Sequence, residues 1–338
     1  MDLNTIWFIL VAVLLAGYAI LDGFDLGVGI LHLFIRGDDE RRLCINAIGP
    51  VWDGNVVWLV TGGGALFAAF PEVYASAFSG FYTALTLLLV TMIFRAVAIE
   101  FRSKRPSHRW RHGWDIAFSV GSFGAALLLG VAFGNVAAGL PMDAEFNITT
   151  GLLGLLNPYA LLVGITTVVL FAMHGAIYLV LKTEGELQAR IRTWVKPLIF
   201  AFIACYVLTT GATLLWQPHL AANMKAQPLW FAVPILTVLA VANIPREIHH
   251  GREFLGFLSS SAAIGLLVTL VGVGLYPNLL LSNPQPEHSL TIFNSASSPK
   301  TLKIMLIIAA IGIPLVLTYT AGIYWIFRGK VKLDKASY

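Results

Sequence analysis

Charged residues and cysteines are both scarce in this chain of 338 residues. Only 12% of the residues are charged whereas 57% are hydrophobic, a balance that excludes an ordinary soluble domain. The two cysteines, Cys44 and Cys205, lie in or beside apolar runs, which argues against a disulfide framework and against a cysteine metal cluster. Acidic residues are nearly missing from the apolar runs, so the few that occur there are conspicuous.

Long apolar runs recur along the whole sequence. A helix of about 20 apolar residues crosses a hydrocarbon layer about 30 Å thick. Nine runs approach or exceed this length, and the seventh is short and contains Pro234. The predicted spans are residues 5–35, 43–70, 74–98, 114–138, 157–181, 197–216, 229–244, 255–276 and 302–327. They predict an all-α polytopic membrane protein with nine transmembrane helices, forming a single membrane domain over residues 1–338.

Basic residues are concentrated in every second loop. They are Arg36, Arg41, Arg42, Arg102, Lys104, Arg105, Arg109, Arg111, Lys182, Arg190, Arg192, Lys196, Arg246, Arg252, Arg328, Lys330, Lys332 and Lys335. Positively charged loops stay on the cytoplasmic side, so the N-terminus is predicted outside and the C-terminus in the cytoplasm. The same rule accounts for the net charge of +4, and for the dense cluster at residues 102–111, without a nucleic-acid partner.

A weak internal similarity predicts a duplication. Residues 119–135 of the fourth span resemble residues 257–278 of the eighth, and the even spacing of four spans keeps the two in the same orientation. A spacing of four spans is typical of a parallel repeat, here residues 1–140 and 155–280, followed by an extra helix at 302–327. We therefore expect two four-helix bundles and one peripheral helix.

The first two spans contain carboxylates. Asp22 and Asp25 lie in the first span, and Asp53 lies near Asn55 in the second. An Asp at the centre of a lipid-facing helix costs roughly 2.5–3.5 kcal/mol on insertion scales, so these side chains must face protein or water. Counting from the inner helix ends at 1.5 Å per residue places Asp25 and Asp53 at a common depth of roughly 14–15 Å.

Further polar residues extend this group. Arg95 and Glu100 lie at the inner end of the third span, and His174 lies in the inner third of the fifth. Together they predict a polar track that carries protons from the cytoplasm. The alternative is structural, with the carboxylates capping broken helices or pairing with Arg95. Both interpretations fit Asp22 equally, a proton relay is favoured for Asp53, and His174 equally fits an interhelical hydrogen bond.

Few residues within the predicted spans could serve as axial ligands of a haem. Haem between helices needs axial His or Met pairs that face each other, and of the eight histidines only His174 lies deep in a span. We therefore expect a haem-free chain with no metal site.

Five motifs, in order along the chain, resemble subunit II of cytochrome bd-type quinol oxidases. They are DGFDLGVG, GPVWDGNVVWLVTGGGALFAAFP, FRAVAIEFRSK, LGVAFGN and HGAIYLVLKTEGEL. The resemblance extends from end to end and includes the length and the nine-span layout. It implies a complex in a bacterial cytoplasmic (inner) membrane that oxidises quinol, reduces dioxygen to water and takes its protons from the cytoplasm.

The resemblance also implies where the redox chemistry takes place. Haems b and d and the quinol-oxidising loop belong to the partner, subunit I, so this chain has no catalytic residue of its own. It implies contacts with membrane lipid and quinone, and with small single-span accessory subunits. In some relatives a structural quinone lies beside the tryptophan that corresponds to Trp52.

The residues for which the resemblance implies a share in the proton pathway are Asp53, Arg95, Glu100 and Asp25. One position departs from the family pattern, because Val56 follows WDGN where relatives carry a polar residue. Asn55 or water is expected to take the place of that polar group.

Two other functions fit the same residues. In a secondary transporter, Asp22, Asp25 and Asp53 would bind protons or a cation coupled to a substrate. Its broken helices are expected in symmetric positions, yet the Gly and Pro interruptions cluster in the first two spans without matching breaks in the fifth and sixth. In a purely structural assembly subunit, the acids would only bridge to the partner.

Overall fold

The computed structural model describes residues 2–333, so Lys335 lies outside the described residues. The helices are α1 (Leu3–Leu31), α2 (Asp38–Ile48), α3 (Trp52–Ala69), α4 (Pro71–Gly80), α5 (Tyr82–Phe101), α6 (His108–Ala138), α7 (Leu152–Leu155), α8 (Pro158–Lys182), α9 (Gly185–Trp216), α10 (Ala222–Ala226), α11 (Ala232–His249), α12 (Glu253–Leu275) and α13 (Pro299–Ile326). Two short antiparallel strands, β1 (Asn278–Leu280) and β2 (Leu290–Thr291), precede α13.

The apolar helices confirm the predicted all-α polytopic architecture. In the described residues, eight helices are long and apolar enough to cross a membrane, and the number rises to nine if α2 and α3 count as one bent span. Three helix starts differ by more than five residues from those predicted. α5 begins at Tyr82 rather than residue 74, because Pro71–Gly80 form the separate helix α4. α6 begins at His108 rather than residue 114, and α9 at Gly185 rather than residue 197. Hydropathy marks the apolar part of a helix, whereas the backbone hydrogen bonds of α6 and α9 continue into polar turns.

The predicted second span, residues 43–70, is not one straight helix. α2 and α3 are separated by a short break and bent by 46°. Pro50 lies in this break and has no N–H with which to continue the helical hydrogen bonds. As a result Asp53 lies in the first turn of α3 rather than within a continuous helix. The positive end of the helix dipole favours a carboxylate in that position.

α1 lies at the centre of the packing. It contacts α3, α6, α8 and α12, and residues 22–29 are all buried. Its closest approach is to α8, where a Cβ added to Gly27 would overlap the carbonyl oxygen of Phe171, and one added to Gly175 would overlap the backbone of Gly27. Glycine at both positions lets the two backbones touch, and this contact helps to enclose the part of α1 that carries the acids.

α13 lies at the edge of the bundle. None of the residues in its most apolar stretch is buried, and its main helix contacts are with α1 and α3. At one end the Trp7 indole N–H donates to the Leu302 carbonyl at 3.0 Å. At the other end the chain continues past the helix, and the Val331 N–H donates to the carbonyl of Lys182 at 2.8 Å. The segment after α13 is thereby fixed to the end of α8.

We expect Gly27→Ala to destabilise the protein, because its Cβ would collide with backbone atoms that no rotamer change can move. Overpacking of this kind costs typically 1–3 kcal/mol. Gly265→Ala on α12 is the matched control, since its Cβ would only come within ordinary contact distance of Ile20 on the same α1. Thermal unfolding of the purified protein measures the difference. Equal melting temperatures for the two variants would contradict the close crossing of α1 and α8.

Candidate functional site

The two acids of α1 lie on one face of the helix. Asp22 and Asp25 are three residues apart, the spacing that places side chains next to each other on a helix. Both are fully buried, and so is Arg95 of α5 at 1% exposure. These three charged side chains, together with Asn55 of α3, are called the acid cluster below.

Arg95 forms a bidentate ion pair with Asp22. One guanidinium nitrogen, Nη1, donates to Asp22 Oδ2 at 2.9 Å, and Nη2 donates to Oδ1 of the same carboxylate. The same Nη2 lies 3.8 Å from Oδ2 of Asp25. Bidentate arginine–carboxylate pairs are among the stronger hydrogen-bonded contacts in proteins. Arg95 therefore neutralises Asp22 first and Asp25 only in part.

Asp25 receives its main hydrogen bond from a neutral side chain. Asn55 Nδ2 donates to Asp25 Oδ2 at 2.7 Å and to the Leu21 carbonyl at 3.1 Å. The hydroxyl of Tyr324 on α13 donates to Asn55 Oδ1 at 2.9 Å. Among residues 2–333, the other oxygen of Asp25, Oδ1, is buried and has no hydrogen-bond partner. Asp25 is thus the carboxyl of the acid cluster with an oxygen still free to bind a proton or accept a hydrogen bond.

The contact made by Asn55 bears on the departure from the family pattern at Val56. That residue is half-buried in α3 and offers no polar group. Within the WDGN motif, Asn55 is the side chain that contacts a buried acid, Asp25. Asn55 is one of the two groups, with water, that are expected to replace the polar residue missing at position 56.

The structure does not bring Asp53 into the acid cluster. Its side chain is exposed on the surface of this chain, although it lies only two residues before the buried Asn55. The first turn of α3 points these two side chains in different directions, because two residues on a helix are about 200° apart. Along the helix axis Asp53 lies only about 3 Å from Asn55, because each residue adds about 1.5 Å of rise. Asp53 and Asp25 therefore do not contact each other in this chain.

Two further predicted site residues also lie apart. Glu100 is half-buried, and its carboxylate makes no hydrogen bond within residues 2–333. It is separated from the acid cluster by about 7 Å of helical rise beyond Arg95. His174 is fully buried, with Nδ1 2.7 Å from the Ser260 hydroxyl, Nε2 3.1 Å from the Ile20 carbonyl and its ring stacked on Phe257. The geometry of His174 matches the interhelical hydrogen bond that was one of its two interpretations.

A second buried cluster was missed from the sequence. Asp115 of α6 accepts hydrogen bonds from Arg41 Nη1 at 2.9 Å and from Arg102 Nε at 2.5 Å, and its Oδ1 lies 2.6 Å from His32 Nε2. Arg102 also donates to Asp38 at 2.8 Å. The cluster joins the end of α1 to α2, α5 and α6. A signal existed, because Asp115 is an acid near the start of an apolar run, directly after a strongly basic loop.

Trp52, the residue predicted to lie beside a structural quinone, is half-buried at the start of α3 and packs against the main core. The neighbouring Val51 lines a cavity, whereas Trp52 does not. Among residues 2–333, no three His, Cys, Asp or Glu side chains come together as metal ligands would.

Known proteins resemble this chain over nearly its full length. Residues 3–327 match the family described as cytochrome bd terminal oxidase subunit II. Cytochrome bd-I ubiquinol oxidase subunit 2 of Escherichia coli strain K12 is 37% identical, over 97% of this chain and 95% of the relative. Cytochrome bd ubiquinol oxidase subunit 2 of Bacillus subtilis is 35% identical, over 98% and 97%.

A solved structure has the same fold. One chain of the bd oxidase from Geobacillus thermodenitrificans superposes with a TM-score of 0.81 at 16% identity, covering 97% of this chain and 99% of that one. The sequence matches carry the family assignment and the structural match carries the fold. The chain belongs to the cytochrome bd terminal oxidase subunit II family.

Proposed function

We propose that this chain is the haem-free subunit II of an oxidase that oxidises quinol and reduces dioxygen to water. In this proposal haems b and d and the quinol-oxidising loop lie in subunit I. The observation that carries it is the family match from residue 3 to residue 327, supported by relatives named as ubiquinol oxidase subunits. The alternating basic loops support an inner-membrane protein with its N-terminus outside and its C-terminus in the cytoplasm.

The contribution of this chain is a share in the proton pathway and in the stability of the complex. The acid cluster holds two carboxyls and one guanidinium. If both carboxyls were ionised, one negative charge would remain buried without a partner, at an effective cost of several kcal/mol. A proton bound to Asp25 removes that charge, and its loss restores it. Asp25 is therefore suited to hold and release a proton. We propose that Glu100 relays protons on the cytoplasmic side of Asp25 and that Asp22 is the counter-ion of Arg95.

The exposed carboxylate of Asp53 suggests where subunit I contacts this chain. Its carboxylate is exposed on this chain at nearly the depth of Asp25. Hydrocarbon cannot solvate a carboxylate, so within a membrane this face has to be covered by protein or water. We propose that subunit I covers it and that Asp53 passes protons across the interface.

The arrangement of helices supports the proposed repeat of residues 1–140 and 155–280. α1 and α8 are the first long helices of the two halves, and α6 and α12 are the last. α1 and α8 cross directly, α1 packs on both α6 and α12, and so does α8. Exchanging the two halves leaves this set of contacts unchanged, as a two-fold relation between them requires.

Purification of this chain from native membranes is expected to bring down a larger subunit with the absorption bands of haems b and d. The visible spectrum of the purified complex is the measurement. Isolation of the chain alone, or together with a transported solute in place of haem, would contradict the oxidase and favour the secondary transporter.

The two acids of α1 are expected to respond differently to removal of their charge. Asp25→Asn should lower quinol-dependent oxygen uptake by about tenfold or more, as loss of a proton-transfer group does, with the haem spectrum retained. Asp22→Asn should instead lower the yield of assembled complex, because it removes the bidentate partner of the buried Arg95 and leaves that guanidinium only its 3.8 Å contact with Asp25. Breaking a buried ion pair costs about 3–5 kcal/mol. Full oxygen uptake in Asp25→Asn at normal assembly would refute the role proposed for Asp25.

Asp53→Asn is expected to lower oxygen uptake much more than Asp53→Glu, because only the second variant keeps an ionisable group. Asp39→Asn is the control, as Asp39 is an exposed acid in the first turn of α2 and lies outside the predicted apolar span 43–70. Oxygen uptake normalised to haem content measures all three variants. A relay role for Asp53 fails if Asn and Glu give the same rate.

A further inference from the structure

A cavity of about 510 Å³ lies beneath the segment that follows α13. Its walls come from the end of α2 and the break that follows it, the end of α8, the start of α12, Tyr324 of α13 and residues 326–332. Four cations and no carboxylates line it: Lys182, Arg328, Lys330 and Lys332. The remaining walls are mostly apolar or aromatic, including Phe254 and Phe257. A volume of this size is typical of small-molecule sites.

One of the four cations is buried without a counter-ion. Lys182 is 8% exposed, and its ammonium group donates to the carbonyls of Phe327 and Gly329. Within residues 2–333 no carboxylate forms an ion pair with it. An ammonium has three protons to donate, and burying a cation without a partner anion is costly. The third donor and the charge of Lys182 are therefore unaccounted for by the described chain.

The other cations at the mouth are mostly uncompensated too. Lys330 donates to Glu253 at 2.8 Å, and that carboxylate is shared with Arg192. Arg328 stacks on Trp325 and is exposed, and among the described residues it forms no ion pair. The charge inside and around the cavity is thus positive, next to walls that favour hydrocarbon.

We propose that this cavity binds a phosphate ester carried by an anionic membrane phospholipid. The phosphate lies against Lys182 and Arg328, and an acyl chain runs along Phe254 and Phe257. A basic pocket between spans at the cytoplasmic face is a recognised setting for anionic lipid head groups. The aromatic walls favour the lipid over a free phosphate ion, because an ion leaves that apolar surface uncovered. The site needs only the cytoplasmic placement of the C-terminus and does not depend on the proton pathway.

The test uses the purified complex, delipidated and reconstituted in detergent, with native mass spectrometry as the binding readout. Phosphatidylglycerol should bind saturably at one site, with phosphatidylcholine and inorganic phosphate much weaker. Lys182→Met, which keeps a long apolar stem, should raise the dissociation constant of phosphatidylglycerol roughly tenfold or more, as loss of a charge-assisted contact does. Lys196→Met is the matched control, an exposed lysine of α9 in a basic segment.

A second variant and a second readout keep the test decisive if Lys182→Met assembles poorly. Arg328→Gln removes an exposed charge from the same mouth and should weaken phosphatidylglycerol binding, whereas a photoreactive phosphatidylglycerol should crosslink to the α12 peptide that contains Phe254 and Phe257. Equal binding of phosphatidylcholine, or equal binding by the Lys182 and Lys196 variants, would overturn the proposal. Inorganic phosphate binding as tightly as the lipid would overturn the lipid assignment.

Discussion

The bidentate pair between Asp22 and Arg95 is the interaction on which the rest of the arrangement depends. A carboxylate and a guanidinium in membrane-spanning helices have neither water nor counter-ions available from the lipid, so each must be enclosed by protein. The pair ties α1 to α5, and α3, α6, α8 and α12 then surround α1. The glycine crossing with α8 is part of the same requirement, because a wider gap there would leave the acids less well shielded.

Three clusters of charged groups differ in the balance of their charges. Around Asp115, two guanidinium groups and the His32 imidazole meet one buried carboxylate and hold the ends of four helical segments together. In the acid cluster, two carboxyls share one guanidinium, which is the basis for the proposed proton site at Asp25. At the cavity beside Lys182 the excess charge is positive, which is the basis for the proposed anionic ligand.

Asp53 shows why this chain is described best as part of a complex. Its own fold leaves a carboxylate exposed beside a membrane-buried segment, while Asn55, two residues later, completes the interior. The break between α2 and α3 therefore turns Asn55 toward the acid cluster and Asp53 toward the surface of this chain. The proposed subunit interface and the proposed proton pathway meet at this turn.

The sequence alone determined the helical class, the number of candidate spans within one, and the requirement that Asp22 and Asp25 be enclosed, because each of these depends on composition along a single segment. Its motifs also identified the family. The partner of each charged group was decided only by the tertiary structure: Asn55 instead of Asp53 lies against Asp25, Arg95 lies level with Asp22 instead of below it, and Asp115 gathers its cations from separate segments. Hydropathy records how apolar a segment is, whereas these contacts depend on how a break rotates one helix and how closely distant helices cross.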